Sequence, residues 1–252
     1  MMTQSRMRLP QGIFTLALYG FITFAAIVQA LWFAGLVRGD DLLAWSNYGQ
    51  LAAALFCAAL SAYLFVRRRE GVYVISAFAF GGWFLSNTFW YLNVVLIDRS
   101  LAYPSVGDAG FLGFMLLTIA AIGLAYQKKE PRVMVIVPIY ALFLLPGIAG
   151  LWLSPTFTSI VTLAYYLCFA ATVAAIVQHY DPKDRLFFAG VLLYCFTMLI
   201  YISREVYFAD SMVFTLVGQL AIVSFCVIQL GLLSRAGCRL QLGLLRRRRA
   251  EV

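Results

Sequence analysis

Eight long apolar stretches, separated by loops that alternate between rich and poor in basic residues, constrain this chain more than any other feature. The stretches are roughly residues 12–37, 45–66, 71–97, 110–126, 133–153, 156–178, 186–208 and 212–233. Each holds about 20 apolar-dominated residues, and at about 1.5 Å per residue such a helix crosses a hydrocarbon core about 30 Å thick. Lipid offers no partner to a backbone N–H or C=O, so only helices or closed barrels span it. These runs are too long and too continuous for barrel strands. The expected fold class is therefore all-α: a polytopic transmembrane bundle of eight helices in residues 1–233, followed by a basic cytoplasmic tail in residues 234–252.

The loops give the orientation. With the N-terminus in the cytoplasm, one side receives Arg6, Arg8, Arg67–Arg69, Lys128, Lys129, Arg132, Lys183, Arg185, Arg235, Arg239 and Arg246–Arg249. That is 16 of the 19 basic residues, and only Arg38, Arg99 and Arg204 fall on the other side. The positive-inside rule then places both termini in the cytoplasm, which requires an even number of spans. Trp32, Trp45, Trp90 and Trp152 fall near the outer boundary, as an interfacial aromatic belt does. The expected location is a bacterial inner membrane.

The chain is 63% hydrophobic and 12% charged, far from a soluble domain. Its net charge of +8 lies on cytoplasmic loop ends, where orientation explains it, so nucleic acid is not an expected partner. The partners expected are the bilayer, anionic lipid headgroups at the tail arginines and a cytoplasmic signalling protein. The first apolar run lacks a small-residue cleavage site and reads as a retained span. The five cysteines show no paired spacing and none is on an outer loop, so neither a disulfide framework nor a structural metal is expected.

Polar residues inside spans are costly and usually face other helices or water. Here they are biased towards the outer half: Gln29, Gln50, Asn87, Asn93, Arg204, Glu205 and Gln219, with Asp108 opening the fourth span. Trp83, Asn87, Trp90 and Tyr91 recur at helical spacing on one face of the third span. Two readings remain open. The amides are interhelical glue, or they line an outward-facing ligand site bordered by Trp83, Asn87, Trp90, Tyr91, Asp108, Arg204, Glu205 and Gln219. No catalytic residues, metal ligands or cofactors are expected.

The most specific local signal is Tyr103-Pro104-Ser105-Val106-Gly107-Asp108. Ser105 and Asp108 have the spacing of a capping box, and Asp108 would also meet the positive end of the helix dipole. Pro104 stiffens the approach, and Gly107 is expected to let the turn pack closely. The stretch 80–124, with Trp83, Asn87, Trp90 and the Pro-Ser-Val-Gly-Asp turn before Gly110-Phe111-Leu112, resembles bacterial multi-helix integral membrane sensor domains. These stand N-terminal to GGDEF/EAL diguanylate cyclases and some histidine kinases. Gly107 replaces their usual Ala. No Gly-Gly-Asp-Glu-Phe signature occurs, so the resemblance implies a sensing or scaffolding bundle without cyclase activity.

His179, the single histidine, is expected in a solvated loop with a turn at Pro182. No span carries a lysine, which excludes a retinal Schiff base. Three functions compete. The first is a sensor that acts through a cytoplasmic partner. The second is a small-solute transporter, suggested by the intramembrane amides and by Pro138 and Pro146 in the fifth span. The third is a lipid-modifying enzyme with Asp108 and Glu205 as its carboxylates. Without a midplane carboxylate to couple ions, or a histidine partner for an acid, the sensor ranks first.

Overall fold

The computed structural model describes residues 9–37, 39–97, 104–126, 133–207 and 211–250, excepting the side chains at 203–214, 238–250 and a few positions beside loops. Eight α-helices follow in order: α1 (Leu9–Phe33), α2 (Gly39–Arg68), α3 (Gly71–Tyr91), α4 (Val106–Ala125), α5 (Val133–Leu153), α6 (Phe157–His179), α7 (Arg185–Tyr207) and α8 (Ser211–Ala250). A π turn over Leu92–Leu96 extends α3, and a short 3-10 turn at Pro182–Asp184 precedes α7. No strand occurs among the described residues. All eight helices contain a segment long and apolar enough to cross a membrane. The chain is thus a multi-pass membrane protein by length and composition, in contact with lipid.

Helix α8 is the central post. Its apolar segment is 72% buried inside the protein, against 6% for α5 and 17% for α1. It packs on α1, α2 and α7, while α5 packs on α6. The burial follows composition. α5 is apolar throughout apart from the polar tips of Tyr140 and Trp152, so lipid serves most of it as well as protein does. α8 carries Thr215, Gln219, Ser224 and Gln229, all buried, and each is better placed against other helices than against hydrocarbon.

α2 and α8 run parallel with a constant register of 168 residues. Gly218 packs on Gln50. The Cys57 thiol points at the Phe225 carbonyl, 3.8 Å away. Ser61 Oγ donates to Gln229 Oε1 at 2.9 Å. Arg68 Nη2 donates to the Ala236 carbonyl at 2.7 Å. On α2 these positions step by seven, four and seven residues, the seam spacing of helices crossing at a shallow angle. α7 meets α8 backbone to backbone: a Cβ on Gly190 would lie 2.6 Å from the Ile228 nitrogen, and one on Gly231 would strike Phe187.

Two ends can be distinguished. The basic end carries Arg67–Arg69, Lys183, Arg185 and Arg235; the far end carries the start of α4. α8 continues as a helix beyond Leu233 through Gly237 and Gly243 to Ala250, so the expected tail begins inside a helix. The loop residues Arg38, Arg99, Tyr103, Lys128, Lys129 and Arg132 lie outside the described residues.

Candidate functional site

In the far half of the bundle α2, α3, α4, α7 and α8 border a small, partly open cavity. Its polar lining is Asn47 and Gln50 from α2 and Asn87 from α3. Trp83, Trp90, Phe111 and Tyr201 supply aromatic walls, and Val217, Gly218 and Ala221 supply the α8 side. All three amide side chains are buried. Gln50 Nε2 makes a long bond of 3.3 Å to Ser46 Oγ, while Asn47 Nδ2 and Asn87 Nδ2 find no protein partner. The space measures about 30 Å³, room for the centres of about two waters.

The cavity has an aromatic floor. Phe225 sits 4.8 Å from Trp83, 5.5 Å from Phe80, 5.4 Å from Phe114 and 5.8 Å from Tyr194, ring centroid to ring centroid. These rings close the space towards the basic end. They also fix Trp83, so that the side chain shared by floor and cavity has little freedom.

The sequence-predicted site residues divide into groups. Trp83, Asn87 and Trp90 come together in the cavity, as their helical spacing implies. Tyr91 turns away, donating to the Tyr48 hydroxyl at 2.6 Å. Asn93 returns a bond to the Phe89 carbonyl at 2.8 Å and stays exposed. Gln219 is buried but not among the lining residues, and neither of its amide atoms has a partner. The antiparallel register of α1 and α8 sets its level. Gly237 lies beside Gln11, and eighteen residues on from Gln11 and back from Gly237 bring Gln29 level with Gln219. Gln29 Oε1 is unpartnered too. The backbone of Arg204 and Glu205 lies one turn beyond Tyr201 in α7; their side chains are outside the described residues. Asn47 was not anticipated from sequence, although its three-residue spacing from Gln50 puts both on one helical face.

Asp108 belongs to a different structure. Both halves of the capping box form: the Ser105 N–H donates to Asp108 Oδ2 at 2.6 Å, and Ser105 Oγ caps the first turn of α4. Ser105 Oγ also lies 3.2 Å from Oδ2. The other carboxylate oxygen accepts from the Tyr165 hydroxyl at 2.8 Å, tying α4 to α6. Asp108 is buried, and both of its side-chain oxygens are engaged by these partners. Close packing depends on Gly110 more than on Gly107: a Cβ at Gly110 would strike Ser86 and approach the Gly82 carbonyl to 3.0 Å, whereas at Gly107 the nearest atom is 3.3 Å away.

At the basic end Arg235 gathers four elements. Nη1 donates to Asp184 Oδ2 at 3.1 Å, and Nη2 donates to the Ala125 carbonyl at the end of α4 at 2.7 Å. Nε lies 3.9 Å from Glu70 Oε2, an electrostatic rather than a hydrogen-bonding distance. The guanidinium also covers the Tyr126 ring at 4.6 Å. Glu70 reaches this point because Arg69 adopts φ 56°, making a tight turn between α2 and α3. Burial, reinforced by the Asp184 charge and partly opposed by Arg235, pushes the Tyr126 hydroxyl above its ordinary range, so it stays neutral. Arg235, grouped by sequence with the headgroup-binding tail arginines, is therefore committed inside the protein. His179 also departs from the expected solvated loop. It closes α6, half-buried, with Nδ1 3.0 Å from the Tyr126 carbonyl. Because a carbonyl only accepts, Nδ1 carries the proton there.

Among the described residues no group of histidine, cysteine, aspartate or glutamate side chains has the arrangement of a metal site. Comparisons with protein-family models, with curated proteins and with solved structures find no match to this chain.

Proposed function

We propose that this chain is an integral membrane sensor of a bacterial inner membrane, which detects an external or membrane-borne cue and acts on a cytoplasmic partner. The observation that carries the reading is α8. Its far part walls the polar cavity, its middle is the buried post of the bundle, and its basic end continues as helix to Ala250. Forty residues of helix are about 60 Å long, about twice the hydrocarbon thickness. A change in the cavity wall therefore has a rigid route to the other side. The parallel seam with α2 runs alongside it, from Gln50 to Arg68. The 16-to-3 distribution of basic residues supports a cytoplasmic basic end, and arginines 246–249 would bring the tail to anionic headgroups. The resemblance of 80–124 to membrane sensor domains supports the same reading.

The test is a chimera in which α8 leads into a reporter kinase domain. Inserting one to four alanines after Gly237 rotates the tail by about 100° per residue. Kinase output should follow that phase and should shift when Ala221→Leu fills the cavity wall. Output indifferent to both changes, at equal protein abundance, would remove the sensor reading.

A further inference from the structure

We propose that the far-half cavity binds a small neutral molecule presenting a hydrogen-bond donor and acceptor side by side, the chemistry of a carboxamide or urea; this deepens the sensor reading and rests on it for its biological use. Three carboxamides border one space, and their exposures are 1% for Asn47, 6% for Gln50 and 4% for Asn87. The amide nitrogens of Asn47 and Asn87 have no protein acceptor. Buried polar groups are nearly always satisfied, so an acceptor from outside the protein belongs here.

Size and charge narrow its identity. The cavity takes about two water centres, room for the amide end of a small carboxamide, whose carbons would extend towards the open side of the cavity. Among the described lining residues none carries a full charge. The nearest ionisable residues along α7, Arg204 and Glu205, follow Tyr201 by three and four positions and are opposite in sign. A carboxamide presents a donor and an acceptor at fixed spacing and meets another carboxamide at two points, whereas a halide only accepts. The indoles of Trp83 and Trp90 give a planar molecule flat walls.

Acrylamide tests the inference directly, being a carboxamide and a quencher of indole fluorescence. The protein is full-length in nanodiscs, with Trp32, Trp45 and Trp152 changed to Phe, leaving the two cavity indoles. Ligands of four or five heavy atoms bind no tighter than roughly micromolar to tens of micromolar, so the titration runs from the micromolar through the millimolar range. The expected result is a saturable quenching component that acetamide relieves by competition. Asn87→Leu, which removes an amide and fills space, should abolish it; the milder Asn47→Ala should weaken it severalfold. Linear quenching that acetamide leaves unchanged, in the protein with both asparagines intact, would mean that the cavity holds only water and would overturn the proposal. A fluorophore at Ala250→Cys, with Cys238→Ser, separates this claim from the sensor reading. Competed quenching without a response at that fluorophore keeps the amide site and removes the sensor reading; linear quenching removes the amide site whatever the fluorophore reports.

Discussion

Three carboxylates and one guanidinium hold the ends of this bundle, and they differ in how visible they are in sequence. The Ser105–Asp108 box is local, set by a three-residue spacing, so it could be read before the fold was known. Its third partner, Tyr165, is 57 positions away and carries no signal of its own. Tyr165→Phe should cost about 1.5–3 kcal/mol, the range for a hydrogen bond to a charged group. Asp108→Asn weakens the cap and the dipole contact together, by about 0.5–2 kcal/mol. Thermal unfolding followed in detergent checks both, and a Tyr165→Phe protein as stable as its parent would mean that the bond contributes nothing net. Arg235 was legible only as one more positive charge, because charge counting cannot tell an arginine that orients a helix from one buried against Asp184 and Glu70. Arg235→Gln leaves those acids facing the negative end of α4, at a cost of about 3 kcal/mol. Arg235→Lys keeps the charge but cannot reach Asp184 and the Ala125 carbonyl with one planar fork, so unfolding midpoints should rank wild type, Lys, Gln.

At the scale of helices, hydropathy located all eight but not their ends. A hydrophobic window registers what lipid tolerates, and α8 outlasts its apolar segment because Arg68 and Arg235 anchor it beyond that window. Gly237 and Gly243 count against helix by propensity, yet the helix continues through both. Helix neighbours were equally hidden: the expected site residues came from α3, α4, α7 and α8 and left out α2, whose partnership with α8 spans 168 residues. The glycines test the packing. Gly190→Val puts side-chain atoms into the backbone of Ile228 and should cost at least about 1–3 kcal/mol, seen as loss of the monodisperse peak in size-exclusion chromatography. Gly12→Val meets nothing within 4 Å and should elute like the parent.

For the molecule as a whole, the even count of spans follows from charge alternation, and sidedness is open to direct measurement. Reporter fusions after Arg69 and Val252 should report the cytoplasm, and fusions near Asp40 and Ser105 the exterior; a reversed result at Val252 would rule out both termini sharing the cytoplasm. The constant register of α2 against α8 also has a consequence for the timing of synthesis. The groove that α2 prepares for Phe225, Gln229 and Ala236 cannot be filled until the last helix has been made. At about 5–20 residues per second, a separation of 168 residues leaves α2 waiting roughly 10–30 s. Throughout that interval Ser61 and Gln50 lie in the membrane without their final neighbours, a state that an insertase or a quality-control protease would recognise. A chain broken before α8 should therefore be cleared rapidly from the membrane, and supplying α8 as a separate segment should restore its lifetime.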